Sequence, residues 1–369
     1  MDEISPLLGN QPHGSDLPSP NLRPRHQELI LTPCGPVRYW CCRAGKRSTC
    51  FHSCRALIVI FFVVAITGCL TFFVLSMLLQ IKRWSELPRL LQVYFCFAIL
   101  SLLALLGLTV SSLYKQHTDT DVSDEDNFTV SLIQLVGIVF CIYYIIRGVL
   151  QENRQELVAF VLSVLVVMIR SVVNFSVLGT KGQQELLVRF VCIVTLGVVH
   201  IFCTTLLIRR PNMMAFRVGG ALECLQEQYF LLNLCFSMVT FDLQAQLCLC
   251  ALILTTSLAA TGANNIIVGV GVFWAILTTV VGAVAVLKEK KVLVWIFMVQ
   301  NVPQVAFFVY LMYTVAEKWF EDTTYTVEAA AITGALISLV IKVVLFWGLI
   351  RLVHSFGQGL RERMFAHNR

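Results

Sequence analysis

Residues 56–79 and 90–114 contain no charged side chain at all, and uninterrupted apolar runs of that length have very few stable environments. About 20 apolar residues in a helix cross a hydrocarbon core of roughly 30 Å, where each backbone N–H and C=O must find its partner inside the protein. Seven more runs follow, at 129–150, 157–178, 186–208, 229–258, 264–287, 291–315 and 327–353. The composition agrees: 57% of residues are hydrophobic and 14% charged, against roughly 25% charged in a soluble domain. The sequence therefore predicts an all-α polytopic transmembrane helix bundle with about nine membrane helices, eight or nine of them spanning. The run at 229–258 is too long for one upright helix, so a tilt, a kink or an interfacial first turn must absorb the excess.

Three regions follow from this pattern. Residues 1–55 form a basic, Cys-rich tail whose Pro-, Gly- and Ser-rich sequence is too poor in apolar side chains to fold alone. Residues 56–353 hold the bundle, and 354–369 form a short basic C-terminal tail. With no long apolar run before Ala56, the first membrane segment is expected to direct insertion rather than a cleaved signal peptide. Loops are short, and no internal repeat stands out.

Charges at the segment ends address orientation, because Lys and Arg collect on the cytoplasmic side. Lys82, Arg83 and Arg89 follow the first segment, Arg209, Arg210 and Arg217 the fifth, Lys288, Lys290 and Lys291 the seventh, and Arg351, Arg361 and Arg363 the ninth. The connection after the second segment is acidic instead (Asp119, Asp121, Asp124, Glu125, Asp126), as is the one after the eighth (Glu317, Glu321, Asp322). Segments three to nine thus agree on an acidic lumenal side and a cytoplasmic C-terminus. The tail disagrees, since Arg38, Arg43, Lys46, Arg47 and Arg55 favour a cytoplasmic N-terminus. Either the tail is lumenal despite its charge, or an early segment does not cross, or segments three to nine are inverted. The formal net charge of +6 is spread over segment ends, not gathered in one stripe, so nucleic acid is not an expected partner.

Short motifs in the tail suggest an address. Glu3-Ile-Ser-Pro-Leu7-Leu8 resembles the acidic dileucine sorting signal, which clathrin adaptors read on endosomal and lysosomal proteins. An extended peptide there offers two adjacent apolar side chains and a carboxylate, provided the tail is cytosolic. Five of the fourteen cysteines, Cys34, Cys41, Cys42, Cys50 and Cys54, precede the first segment among Arg and Lys. That setting suits S-acylation, with unmodified thiols or, on the lumenal side, disulfides as alternatives. Asn127-Phe-Thr129 is a weak glycosylation candidate because it abuts the third segment, and Asn174-Phe-Ser176 falls inside the fourth.

Polar residues within the apolar runs carry the functional reading, since a bare charge at mid-bilayer costs at least about 2.5–3.5 kcal/mol. Asp242 sits near the middle of the sixth segment, beside Gln244 and Gln246, and Lys342 near the middle of the ninth. A pair between them would neutralise both, either as a staple or as an ion- or proton-responsive site. Gln300, Asn301, Pro303 and Gln304 mark a kink in the eighth segment, where proline removes a backbone donor; amides beside an opened helix build midplane sites in several transporters. Arg170 and Asn174 lie one turn apart in the fourth segment, and His200 lies in the fifth, with interhelical bonding as the plain expectation. Arg147, Arg189 and Arg351 sit near segment ends, where snorkelling to headgroups is sufficient. No phosphate loop, zinc helix or nucleophile elbow occurs, so the expectation is no enzyme, no cofactor and no metal. The leading expectation is a small-solute or ion transporter or channel-like protein of endosomes or lysosomes, possible also at the plasma membrane, with Asp242, Lys342, Gln300, Asn301, Pro303, Gln304 and Arg170 along its pathway. The alternative is a receptor-like or scaffolding seven-helix-type protein without transport.

Overall fold

A computed structural model describes residue 68 and residues 87–118, 125–178, 184–209, 223–257, 262–318 and 326–356. Within them lie eight α-helices: α1 (Arg89–Thr118), α2 (Glu125–Leu150), α3 (Arg154–Leu178), α4 (Gln184–Ile208), α5 (Glu223–Ser257), α6 (Gly262–Leu287), α7 (Lys291–Lys318) and α8 (Thr326–His354). Over the described residues seven of them, α1 to α6 and α8, are long and apolar enough to cross a membrane. The predicted helices from 90 onward recur with ends shifted by a few residues, most at the start of α5, which begins at Glu223 and not at 229. The expected first helix at 56–79 falls outside the described residues apart from Gly68, as do residues 1–55 and 357–369.

The extra length of α5 lies at its start. Glu227, in its second turn, is exposed and meets exposed Arg351 at the end of α8, 3.5 Å away. Arg351 also lies over the Trp347 ring, so its charge is exposed at the end of α8.

The helices pack as two four-membered rings. In the first, α1 packs on α2, α2 on α3, α3 on α4, and α4 returns to α1; α5 to α8 repeat that order. The rings meet where α5 lies against α2 and α3. This makes α2 and α5 the interior helices, 83% and 78% buried over their most apolar windows, whereas the other spans leave more than half of theirs open. The open faces carry Leu, Val, Ile and Phe, as lipid contact demands. Where α6 and α7 cross, a Cβ on Gly282 would stand 2.5 Å from the buried ring of Phe297, so only glycine permits that approach.

Two tight turns are built alike. At the end of α2, Gln151 N–H donates to the Arg147 carbonyl and Glu152 N–H to Val149; at the end of α6, Lys288 N–H donates to Val284 and Glu289 N–H to Val286. Glu152 and Glu289 both take positive φ, 50° and 49°, a conformation that glycine usually supplies at a helix C-terminus. In the first turn Asn153 then caps α3, its Oδ1 accepting from Gln155 N–H at 3.1 Å. Because a Cβ in this region is strained by roughly 1–2 kcal/mol, Glu152→Gly is expected to raise stability by up to about 1 kcal/mol. Glu152→Val should lower it by at least as much. Opposite shifts of the thermal midpoint in detergent would check this.

Candidate functional site

The polar residues singled out on three separate helices converge. Lys342 on α8 is 4% exposed, Asp242 on α5 5%, and Asn301 and Gln304 on α7 are buried with them. The Lys342 ammonium donates to Asp242 Oδ2 at 2.8 Å, to Asn301 Oδ1 at 2.8 Å and to Gln304 Oε1 at 2.5 Å. An ammonium has three N–H donors, so each finds an acceptor. Local sequence places these groups: Asn301 and Gln304 are three apart and share a face, and Asn301 Nδ2 returns to the Phe297 carbonyl at 2.8 Å. Asp242 Oδ1 is buried without a hydrogen-bond partner. Beside Lys342 lies a cavity of about 10 Å³, lined by Gln246, Leu249, Gln304, Phe308 and Ser338 among others, room for about one water.

Not every predicted member joins. Pro303 lies inside α7 but faces outward, and Gln300 offers its backbone carbonyl to Trp274 Nε1 at 3.0 Å while its Oε1 has no partner. Arg170 lines a different cavity, with Gln244 and Arg189. Gln244 faces away from Lys342, accepting from Tyr144 Oη at 3.0 Å and donating to Ser163 Oγ at 2.7 Å. Gln246 donates to Ser338 Oγ at 3.1 Å. His200 reaches Ser101 Oγ at 2.8 Å through Nε2, the interhelical bond expected of it. Asn127 falls in the first turn of α2 and Asn174 within α3. Glu3, Leu7, Leu8, Cys34, Cys41, Cys42, Cys50 and Cys54 lie outside the described residues.

Two arginines correct the snorkelling expectation. Arg147 is 3% exposed and pairs with fully buried Glu156 at 2.5 Å. It also donates to Tyr143 Oη at 2.9 Å and through Nε and Nη2 to Gln151 Oε1, and it covers the Phe236 ring at 4.4 Å. The start of α5 roofs this end of the α2–α3 turn, where Asn153 donates to Asn233 Oδ1 at 3.3 Å, and so takes Arg147 out of reach of headgroups. Arg189 is likewise buried, donating to Ser112 and Ser131 hydroxyls at 3.3 and 3.0 Å. The one signal available was an opposite charge across a three-residue turn, Arg147 against Glu156.

The resemblance of the two turns extends along the chain. One family model, described as Domain of unknown function (DUF7789), matches it twice, over residues 78–209 and 219–351, together more than half of its length. The chain belongs to that family. No curated protein and no solved structure matches it. The two DUF7789 matches divide the helices into α1–α4 and α5–α8, correcting the expectation that no repeat exists. Read without gaps from the starts of the matches, Leu90-Leu91-Gln92 aligns with Leu231-Leu232-Asn233, and Ser101 with Asp242. Read from their ends, Leu207-Ile208-Arg209 aligns with Leu349-Ile350-Arg351, and His200 with Lys342. Both DUF7789 units therefore join their first and fourth helices through a polar pair at one register, Ser101 with His200 in one and Asp242 with Lys342 in the other.

Proposed function

We propose that this multi-pass membrane protein moves a small solute or an ion across endosomal or lysosomal membranes, using the polar centre of its second four-helix unit. The observation that carries the reading is the convergence of three helices on Lys342 with one buried Asp242 oxygen left over. Intramembrane ionisable residues cluster on ion and substrate pathways. In this reading Asp242 carries the proton or ion, Lys342 is its counter-charge, and Asn301 and Gln304 offer amide contacts beside Pro303. Glu3, Leu7 and Leu8 would supply the address through a clathrin adaptor, and Cys34, Cys41, Cys42, Cys50 and Cys54 the acylation sites, both on a cytosolic tail.

A second reading, a scaffolding membrane protein without transport, is favoured by the closed geometry around Lys342, whose donors are all occupied. Proton flux into proteoliposomes under an imposed potential separates them, read with an entrapped pH dye. Transport predicts a wild-type flux that Asp242→Asn reduces at least tenfold at equal reconstituted protein. Absence of wild-type flux, or undiminished flux in the variant, leaves the scaffold.

A further inference from the structure

We propose that the cavity between α2, α3, α4 and α5 is a binding site for a small inorganic anion. This rests on the first unit and not on the transport reading, and its test is binding and not flux. The cavity has a volume of about 40 Å³ and is lined by Arg170, Arg189, Gln134, Ser171 and Gln244 on its polar side. That is room for about three waters or one small ion with a partial shell.

Charge is what selects the ligand. Two guanidinium groups line this space, and none of the described residues lining it is a carboxylate. Among the described residues Arg189 donates to the hydroxyls of Ser112 and Ser131. Arg170 keeps a buried Nε with no partner. Arginine does not relieve such a position by losing its proton, and a buried charge without a counter-charge is strongly unfavourable. An anion between the two would supply that counter-charge, and guanidinium N–H groups are suited to grip it.

Comparison of the units argues against a packing role. With Glu152 set against Glu289, Arg170 aligns with Phe307, and with Arg209 set against Arg351, Arg189 aligns with Ala331. The same four-helix ring is thus built without either cation in the second unit. Where that unit does bury a cation, Lys342, it provides a carboxylate at 2.8 Å. The first unit does the same for Arg147 with Glu156, but around Arg170 and Arg189 it provides no carboxylate among the described residues.

The test is thermal unfolding of the full chain, purified in uncharged detergent and in discs of phosphatidylcholine alone, with chloride replacing gluconate at constant ionic strength. A specific site gives a saturating rise in midpoint of several degrees. Arg170→Gln should abolish that rise while melting no lower than wild type in gluconate, since the uncompensated charge is gone. Arg170→Phe, which copies the aligned residue of the second unit, should behave the same way and guards against a variant-specific folding defect. The proposal is overturned if wild type shows no saturable chloride response, or if both variants retain it. It is equally overturned if stabilisation appears only when anionic lipid is added, which would assign the arginines to a headgroup.

Discussion

Lys342→Met is expected to lower unfolding stability by about 3–5 kcal/mol, the cost typical of removing one partner from a buried ion pair. The variant leaves the Asp242 carboxylate, 5% exposed, without its cation, and takes the shared donor from Asn301 and Gln304. The companion is the double variant Asp242→Leu with Lys342→Met. It removes both charges and should recover a large part of the loss, because hydrophobic replacement of a whole buried pair is often neutral. The recovery stays incomplete, since two amide oxygens still lack their donor and interhelical hydrogen bonds in membranes average about 0.6 kcal/mol. Thermal midpoints of the four proteins of the cycle, in one detergent, read the coupling directly. A loss below about 1 kcal/mol in Lys342→Met would mean that Asp242 is not held as an anion by this ammonium.

Glu156→Gln should cost a similar amount, about 3–5 kcal/mol, at the opposite kind of place. Glu156 stands in the first turn of α3, where the helix dipole favours an anion by about 0.3–1 kcal/mol, and it is the carboxylate on Arg147. In the variant Arg147 keeps Tyr143 and Gln151 as acceptors but remains a buried charge. Combining Glu156→Gln with Arg147→Met should therefore be milder than Glu156→Gln alone. If the double variant is instead the sum of the two singles, the pair contributes no coupling and the turn is held by its amides. The same midpoint measurement decides, with protease cutting near 151–153 as a second readout.

These two pairs also show what a sequence discloses. Asp242 and Lys342 were visible one helix at a time, because a charge in the middle of an apolar run has to be explained wherever that helix packs. Asn301 and Gln304, amides inside an apolar run, were visible for the same reason. Arg147 and Glu156 were not, because each stands near the end of its helix, where headgroups are the ordinary partner. Only the roof made by the start of α5, through Asn233 and Phe236, buries them, and that is tertiary information. Arg189 was read as a snorkelling residue for the same reason, its place near a helix end, and is buried against Ser112 and Ser131 instead. The repeat was hidden by chemistry: lipid-facing Leu, Val, Ile and Phe exchange freely, so identity fades along the spans. What persists is the geometry of the turns, down to a glutamate with positive φ in each, and two short matches near the ends of the units.

One helix serves both polar regions. Asp242 and Gln244 are two residues apart on α5, and they point to different neighbours: Asp242 to Lys342 on α8, Gln244 to Tyr144 on α2 and Ser163 on α3. Gln244 and Cys248 also line the arginine cavity. α5 is therefore a common shaft. Any rigid twist about its axis that draws Asp242 off the ammonium also pulls Gln244 from between its two hydroxyl partners and reshapes the wall of that cavity, and the reverse motion restores all three together.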